Sequence, residues 1–533
     1  MIGKNKFGIE ILDTTLRDGA QSEGVSYSVS DKINVVKALD DFGVNYIEAG
    51  NPGSNPKDLE FFKRAGGLKL KNAKLCAFGS TRRIAKNICE DENILSLLSA
   101  GTETVVIFGK ASDLQVKEIL NATQAENLEI IYDTVKFFKE KGKEVIFDAE
   151  HFFDGYKSNK AYAKKALKVA SDAGADILTL CDTNGGALSH EVATAVKDIV
   201  KSFKNIRIGI HCHNDSGLAV ANSLVAVECG ATHVQGTFVG TGERAGNADL
   251  SGIIPNLYFK MGYDCAKWNL RQLTDTALKI YEISNIVPPA NKPYTGYSAF
   301  AHKGGMHIDG MEKLESSFEH IPPESVGNKR RYLMSELSGK TTVFNKIASY
   351  APNLSICSQE VGEILNKLKE LEFEGYQFES AEASFELIVR EILGGLKPKF
   401  EIKSYKTSVE YLSGNGSANA SVEVVANGLS QTATASGNGP VNALDIALRK
   451  ALQSIYPEIK NIYLTDYKVR VISSGNATGA KVRVLIENSS GKNIWTTVGV
   501  SSDIIEASKK ALQDSFEYYL LKWGCAHCVD LKP

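Results

Sequence analysis

Two histidines separated by one residue are the clearest chemical feature of this sequence. The segment HCHND, residues 211 to 215, places His211 and His213 at the end of the apolar run IRIGI. Because side chains alternate between the two faces of a β-strand, both imidazoles point to the same side. Two imidazoles that converge on one point suit a divalent metal ion. The alternative is a pair of ordinary buried histidines hydrogen-bonded to their neighbours.

Polar side chains also follow several other apolar runs. The segment DTTLRDGAQSEG places Arg17 and Asp18 side by side after the first of these runs. The other polar residues in such positions are Glu48, Asp148, Glu150, Asp182, Thr183, Glu243, Arg244 and Asn247. A helix cap or a rim salt bridge explains one or two such groups. Their recurrence after most of the runs indicates a shared site.

The elements that must position these residues are short β-rich runs, which recur about every 30 residues, the length of one βα unit. The runs are FGIEILDT, NYIEAG, AKLCAFG, TETVVIFG, EVIFDAE, ADILTLCD, IRIGIHCH and HVQGTFVG. Helical stretches separate them, and in SDKINVVKALDDFG we expect Ser30 as the N-cap and Gly43 as the end. This alternation predicts an α/β fold, a TIM (β/α)8 barrel. The competing doubly wound open sheet lacks its Gly-rich phosphate-binding motif here.

Closure of such a barrel would bring its first and last strands together. Strand 8 then lies between strands 7 and 1, so that Asp18, His211, His213 and Asn247 can meet. Two imidazole nitrogens, a carboxylate and an amide oxygen fit Zn, Mn, Co or Mg, and leave positions for substrate oxygens. A two-histidine, one-carboxylate iron oxygenase is the outside alternative, which the barrel disfavours.

Arg17 would lie beside this metal site. Its guanidinium group carries a fixed charge in a rigid fork, which suits the stabilisation of a developing oxyanion. The alternative role is charge compensation for Asp18 and Glu48.

The composition is that of an ordinary soluble globular protein, with 43% hydrophobic and 23% charged residues among 533. This length predicts two or three domains. Lysine and arginine number 61 against 63 aspartate and glutamate, a net charge of -2, which argues against nucleic acid or an anionic membrane as a partner. The sequence has no apolar signal-peptide region and no apolar run of about 18 residues, so we expect a cytoplasmic protein.

Nine cysteines are scattered along the chain. An odd number without regular spacing suits reduced thiols better than a disulfide framework. Cys525 and Cys528 form a single CxxC motif, which by itself does not indicate zinc.

Several of these segments resemble a known enzyme family. LDTTLRDGAQSEG, HCHNDSGLAVANS and GTGERAGNADL are similar to signature segments of the acyl-CoA-condensing metalloenzymes that include 2-isopropylmalate, homocitrate and citramalate synthases. The resemblance runs through nearly the whole chain. GNPGSNPKD, FDAEHFFDGY and GYSAFAHKGGMH resemble the citramalate synthase branch more closely than the other two.

The resemblance implies condensation of acetyl-CoA with a 2-oxo acid, followed by thioester hydrolysis. Its favoured branch uses pyruvate and makes citramalate for isoleucine biosynthesis. The alternatives are 2-isopropylmalate or homocitrate synthesis and, more remotely, a lyase of the hydroxymethylglutaryl-CoA type. A 2-oxo acid can chelate a metal ion through its keto and carboxylate oxygens.

The family pattern also implies roles for individual residues. Glu150 in FDAEH would remove a methyl proton from acetyl-CoA, although a rim salt bridge with a lysine is the alternative. Thr183 in CDTNGG would bind the carboxylate of the oxo acid, and Gln21 and Glu48 would support the inner site. His302 in FAHKGGMH would assist catalysis, in relatives often from the partner chain.

Other residues are expected to shape the pocket. Phe78 and Ile107, above strands 3 and 4, would set the size of the oxo acid, and Asp148 would line its site. Glu243 and Arg244 would brace the loop after strand 8.

The C-terminal part of the sequence contains an internal repeat. GPVNALDIALRKALQ, residues 439–453, and GVSSDIIEASKKALQ, residues 499–513, align without a gap and predict two strand-strand-strand-helix units. Such a tail without catalytic residues suits regulation, and pure dimerisation is the alternative. Gly439 and Gly499 would each open a helix and offer N–H groups to an amino-acid carboxylate. By resemblance, the expected effector is isoleucine and the expected assembly a homodimer.

Three domains are therefore expected. Residues 1–285 form the catalytic TIM barrel, and 286–399 form helical linker subdomains that contribute to the active site. Residues 400–533 form an α+β regulatory and dimerisation domain. The proline-rich segment NIVPPANKPYTG marks the exit from the barrel.

Overall fold

The computed structural model of this chain contains two compact units. The first comprises the chain up to Phe300 together with His320–Arg330, and the second comprises Ala301–Glu319 and the chain from Arg331 onwards. The structure describes residues 8–263, 268–333, 340–347, 351, 354–412, 415–472, 479–491 and 493–524. Cys525 and Cys528 lie outside these residues. The division into three domains stays a prediction.

The first unit is a closed barrel of eight parallel strands in sequence order, with the first strand paired to the last. The strands are β1 (Glu10–Asp13), β2 (Tyr46–Glu48), β3 (Lys74–Ser80), β4 (Thr104–Lys110), β5 (Glu144–Glu150), β6 (Ile177–Asp182), β7 (Arg207–Cys212) and β8 (His233–Gly236). Each coincides with one of the predicted runs. The TIM-barrel prediction is confirmed.

Helices follow the strands of the barrel, and the last two come after β8. They are α1 (Val29–Phe42), α2 (Pro56–Ala65), α3 (Glu92–Ser99), α4 (Asp113–Glu118), α5 (Gln124–Glu140), α6 (Phe152–Ser158), α7 (Lys160–Asp172), α8 (Ser189–Ser202), α9 (Ala219–Glu228), α10 (Leu250–Phe259) and α11 (Leu273–Ile283). None of the described helices combines the length and the apolar character that crossing a lipid bilayer requires.

The cap of α1 differs from the prediction. Ser28 is the N-cap: its hydroxyl accepts a hydrogen bond from the Asp31 N–H, and the Asp31 carboxylate accepts one from the Ser28 N–H. Ser30 was the wrong choice because the reciprocal pairing of Ser28 and Asp31 satisfies two backbone donors at once. Gly43 ends the helix with a φ of 104°, as predicted.

The barrel interior changes character along its axis. One layer is apolar and consists of Leu12, Tyr46, Cys76, Val106, Ile146 and Ile177. At the amino ends of the strands, Arg207 forms ion pairs with Glu10 at 2.6 Å and with Glu144 at 2.9 Å. The ion pairs and the apolar layer fill that end, so the polar groups at the carboxyl ends of the strands face a separate cavity.

The second unit contains two antiparallel three-stranded sheets and several helices. Its elements are β9 (Ala301–His302), α12 (Gly305–Lys313), β10 (Arg331–Tyr332), α13 (Lys340–Ile347), α14 (Gln359–Glu374), α15 (Glu382–Ile392), β11 (Glu401–Leu412), β12 (Asn415–Ala426), β13 (Leu429–Gly437), α16 (Pro440–Gln453), β14 (Tyr463–Val471), β15 (Val482–Ser490), β16 (Asn493–Ser501) and α17 (Ile504–Lys522). The sheets β11-β12-β13 and β14-β15-β16 are each followed by one helix. The two predicted strand-strand-strand-helix units are present.

The two repeats differ where strand meets helix. Gly439 is the N-cap of α16, whereas Gly499 lies inside β16 and α17 begins only at Ile504. The prediction that Gly499 opens a helix was wrong, because the strand of the second repeat continues past the aligned glycine. A Cβ atom at Gly499 would collide with the carbonyl oxygen of Ala507, so the glycine lets β16 pack closely against α17.

Candidate active site

Asp18, His211 and His213 meet at the carboxyl end of the barrel. Asp18 follows β1 and precedes a short 3-10 turn, while His211 belongs to β7 and His213 follows it directly. The Asp18 Oδ2 atom lies 3.5 Å from His211 Nε2 and 3.8 Å from His213 Nε2. All three residues are buried, and one ligand atom from each lies within 4.8 Å of the others. The structure thus brings Asp18 next to two histidines that lie almost 200 positions later in the sequence.

Asn247 lies beside this cluster, because its backbone pairs with that of His213. Among the described residues, the buried atoms Asp18 Oδ1, His213 Nδ1 and Asn247 Oδ1 have no hydrogen-bond partner. Buried polar atoms without partners are costly unless a ligand or an ion satisfies them. Two imidazoles, a carboxylate and an amide oxygen fit a divalent metal ion.

The electrostatics of the cluster also suit a metal. Burial opposes ionisation of Asp18, but the positive charge of Arg17 holds its pKa well below the usual range. Burial and the neighbouring His211 lower the pKa of His213 to about 4. At neutral pH Asp18 is therefore anionic and His213 neutral, the states in which these side chains bind metals.

Arg17 is fixed by two carboxylates and an aromatic ring. Its Nε lies 2.5 Å from Glu48 Oε1, and its Nη1 lies 3.1 Å from Asp18 Oδ2. The guanidinium group stacks over Phe78 at 3.8 Å from the ring centroid. Glu48 is fully buried and also accepts a hydrogen bond from the Thr14 hydroxyl at 2.6 Å. The contacts compensate charge, and they also hold the planar cation rigidly at the edge of the cavity.

A cavity of about 230 Å³ opens at this end of the barrel. The residues that line it are Arg17, Asp18, Gln21, Phe78, Phe108, Asp148, Glu150, Cys181, Thr183, His211, His213, Glu243 and Arg244. Most of the predicted catalytic and substrate-binding residues are in this group, although their roles stay predictions. Asn247 is not among the lining residues, although its backbone pairs with that of His213.

Ile107 does not line the cavity, contrary to the prediction. Ile107 is fully buried in the core outside the strands, while its neighbour Phe108 lines the cavity and stacks on Phe78 with ring centroids 5.1 Å apart. The error follows from the period of two in a strand, since a shift by one residue moves a side chain to the other face.

Glu150 ends β5 and lies at the cavity wall. Its Oε2 atom forms an ion pair with Lys110 Nζ at 2.5 Å, a contact that matches the alternative role of Glu150 as a rim carboxylate. Both side chains are largely buried, with 23% of Glu150 and 14% of Lys110 exposed.

Thr183 is held by the backbone that follows Glu150. The His151 N–H donates a hydrogen bond to Thr183 Oγ1 at 2.8 Å, and His151 adopts a left-handed conformation with φ of 58°. Arg244 Nη2 donates to the Thr183 carbonyl at 2.8 Å and also pairs with Asp215. Arg244 thus links the loops that follow β6, β7 and β8.

Gln235 was missed in the sequence. It lies on β8 and bridges His211 and Asp148, the latter through a hydrogen bond of 2.9 Å. Burial, followed by the nearby charge of Glu48, raises the pKa of Asp148 to about 6. One feature of the sequence could have revealed Gln235: it is a polar residue in the apolar run HVQGTFVG. It lies two positions after His233, so both side chains are on the same face of the strand.

His302 belongs to the second compact unit. It is buried, and its Nε2 atom lies 3.0 Å from Glu319 Oε1. A carboxylate that accepts a hydrogen bond from one ring nitrogen fixes the ring and its tautomer. The catalytic role of His302 stays a prediction.

Three family models together cover most of the chain. Residues 8–287 match the HMGL-like family, residues 294–375 match the homocitrate synthase post-HMGL domain-like family, and residues 379–520 match the LeuA allosteric (dimerisation) domain. The first match coincides with the barrel and its site. The last includes both sheets of the second unit.

Curated relatives match over nearly their full length. The (R)-citramalate synthase of Aquifex aeolicus is 50% identical, over 96% of this chain and 98% of the relative. That of Synechocystis is 46% identical over 98% and 97%, and the 2-isopropylmalate synthase of Methanocaldococcus jannaschii is 33% identical over 96% and 95%. The chain therefore belongs to the family of HMGL-like enzymes that includes the citramalate and 2-isopropylmalate synthases.

Proposed function

We propose that this protein condenses acetyl-CoA with pyruvate and hydrolyses the thioester, giving citramalate and CoA. The observation that carries the proposal is the 50% identity to a citramalate synthase over 96% of the chain, against 33% to a 2-isopropylmalate synthase. The polar cluster at the barrel mouth supplies ligands, a cation and a carboxylate for this reaction. Citramalate leads through 2-oxobutyrate to isoleucine, so we assign the enzyme to isoleucine biosynthesis in the cytoplasm.

The proposed metal ligands are Asp18, His211, His213 and Asn247. A divalent ion in this site, Mn, Mg, Zn or Co, polarises the keto group of a chelating 2-oxo acid when bound. The four residues hold it at the end of the barrel where Arg17 is also fixed.

Thr183 binds the carboxylate of the oxo acid in this proposal, and Gln21 supports the inner site. Thr183 Oγ1 accepts a hydrogen bond from the His151 N–H, so the hydroxyl hydrogen is left for the substrate. Asp148 lines the same cavity. The stacked rings of Phe78 and Phe108 limit its width, which suits the methyl group of pyruvate better than a branched side chain.

Glu150 is the proposed general base. It removes a proton from the methyl group of acetyl-CoA, and the carbanion forms a bond to the keto carbon of pyruvate. Arg17 stabilises the negative charge that develops on the keto oxygen, which then takes up a proton. Water finally cleaves the thioester C–S bond and releases the CoA thiol, and His302 assists these steps.

The release of the CoA thiol tests the proposal. A thiol reagent follows the rate with acetyl-CoA and, in turn, pyruvate, 2-oxoisovalerate and 2-oxoglutarate. We expect the highest kcat/KM with pyruvate. A preference for 2-oxoisovalerate would identify a 2-isopropylmalate synthase, and no thiol release with any acid would contradict a synthase.

Arg17→Lys is expected to lower kcat by about a hundredfold, the usual cost of removing one donor to a developing oxyanion. A lysine keeps the charge but cannot contact Glu48 and Asp18 in the same planar geometry. Steady-state kinetics with pyruvate measure the effect. Arg64→Lys is the matched control, because Arg64 forms an exposed pair with Glu60 on α2. Equal rates for both variants would restrict Arg17 to charge compensation.

Isoleucine is expected to inhibit the full-length enzyme. The match of residues 379–520 to an allosteric and dimerisation domain supports a regulated homodimer, in which coupling of about 1–3 kcal/mol is usual. The measurements are inhibition of thiol release and the shift of Tm with isoleucine, with leucine as the matched control. A response to leucine alone, or to neither amino acid, would contradict this assignment.

A further inference from the structure

The side chain of Gln235 connects the metal cluster to the barrel interior. Its Oε1 atom lies 3.1 Å from His211 Nδ1. Its Nε2 atom donates to Asp148 Oδ1 at 2.9 Å and to Thr179 Oγ1 at 3.1 Å. Gln235 and Thr179 are fully buried, and His211 and Asp148 nearly so. These four side chains are largely shielded from bulk water, so their polar groups depend mainly on one another for hydrogen bonds.

The orientation of the Gln235 amide follows from its partners. A carboxylate only accepts hydrogen bonds, so Asp148 requires the amide nitrogen on its side. Thr179 accepts the second N–H of the same nitrogen. Rotation of the amide by 180° would set Gln235 Oε1 against Asp148 Oδ1, two acceptors in a buried place, at the cost of the hydrogen bond to Asp148.

The fixed amide determines which nitrogen of His211 carries a proton. Because Gln235 Oε1 faces His211 Nδ1 and can only accept, Nδ1 must donate. The lone pair of a neutral His211 is then on Nε2, the atom that lies 3.5 Å from Asp18 Oδ2. His213 has no such partner, since its buried Nδ1 has none among the described residues.

We propose that Gln235 is a positioning residue, which holds the His211 ring so that Nε2 faces the metal. This inference rests on the metal site of the proposed function and adds to it. Partners of this kind fix both the tautomer and the ring orientation of a ligating histidine, and their loss commonly weakens metal affinity by about 10- to 100-fold.

Mn²⁺ binding to the metal-depleted protein tests the role without any turnover. The free ion is measured by electron paramagnetic resonance during titration. Gln235→Met fills a similar volume but removes all three hydrogen bonds, so its Kd should rise at least tenfold. The double variant Gln235→Glu with Asp148→Asn exchanges the amide and the carboxylate. It restores an acceptor for His211 Nδ1 and keeps the local charge, so its Kd should return to within about threefold of wild type.

The reference variant His211→Ala distinguishes an error in the proposed metal site from an error in the proposed role of Gln235. If wild type and His211→Ala bind Mn²⁺ equally, or neither binds it, the metal site itself is wrong. If only His211→Ala loses Mn²⁺ and Gln235→Met binds like wild type, the metal site stands and the role of Gln235 is refuted. A double variant as weak as Gln235→Met would also refute it.

A measurement on the unaltered protein decides the case if Gln235→Met does not fold. In nitrogen-15 spectra of histidine-labelled, metal-depleted protein, the His211 signals are identified by their absence in His211→Ala. The proposal requires a proton on Nδ1 of His211. An unprotonated Nδ1 with the proton on Nε2 would overturn it.

Discussion

Replacing His211 with alanine is expected to reduce citramalate formation to background. The substitution removes one of two imidazoles in a cluster whose ligand atoms lie within 4.8 Å of one another. The remaining proposed ligands, Asp18, His213 and Asn247, include only one imidazole, so they should hold a divalent ion much more weakly at low concentration. Chelation of the wild-type enzyme should have the same effect, and added Mn²⁺ or Mg²⁺ should restore turnover.

His190→Ala is the matched control for this prediction. His190 is exposed on α8 and outside the cavity at the barrel mouth, so its loss should leave both turnover and metal content unchanged. Metal content is measured on the purified proteins by mass spectrometry. Full activity in a rigorously metal-free wild-type sample would show that the cluster is merely a group of buried histidines.

Glu150→Gln is expected to lower kcat by about a hundredfold or more while KM for pyruvate stays nearly constant. Glutamine keeps the size of the side chain but cannot accept the methyl proton of acetyl-CoA, and general bases contribute about 10²- to 10⁴-fold. Pyruvate binds elsewhere in the proposed site, so its affinity should not depend on Glu150. Exchange of the methyl protons with deuterated solvent, followed by NMR, reports the proton transfer directly.

The ion pair with Lys110 provides the competing explanation for any loss of rate. Lys110→Met breaks the same 2.5 Å contact but keeps the carboxylate, so it should retain solvent exchange, whereas Glu150→Gln should lose it. Normal exchange in Glu150→Gln would exclude Glu150 as the base and leave it as a rim carboxylate. Glu60→Gln, which breaks an exposed pair on α2, controls for the loss of a surface charge.

The barrel and the cluster of Asp18, His211 and His213 were predictable because both follow from simple periodicities. Eight runs separated by helical stretches define the closed sheet, and closure brings Asp18, after β1, near the end of β7 with only β8 between them. Alternation in a strand sets His211 and His213 on one side. The local sequence of each run agreed with its place in the barrel, so the order of the strands was enough to infer which distant residues lie close together.

The residues of the cavity wall, the role of Gly499 and the contacts of Gln235 could not be predicted from the spacing of apolar residues. Phe108 lines the cavity where Ile107 was predicted. A strand that is apolar on both faces does not show in its sequence which of two neighbouring side chains points inward. Gly499 aligned with a helix-opening glycine, yet the structure uses it for close packing between β16 and α17. Gln235 is an uncharged residue in an apolar run, and its place between His211, Asp148 and Thr179 is apparent only from three hydrogen bonds to other strands.

The most direct test of the proposed reaction follows the carbon atoms of acetyl-CoA. Metal-depleted enzyme and the same enzyme with Mn²⁺ are incubated with pyruvate and acetyl-CoA labelled with carbon-13 in the methyl group. The product is analysed by NMR and chromatography. A metal-dependent condensation predicts citramalate that carries the label in its methylene carbon, formed only with Mn²⁺. The absence of labelled citramalate, or equal amounts in both samples, would contradict it.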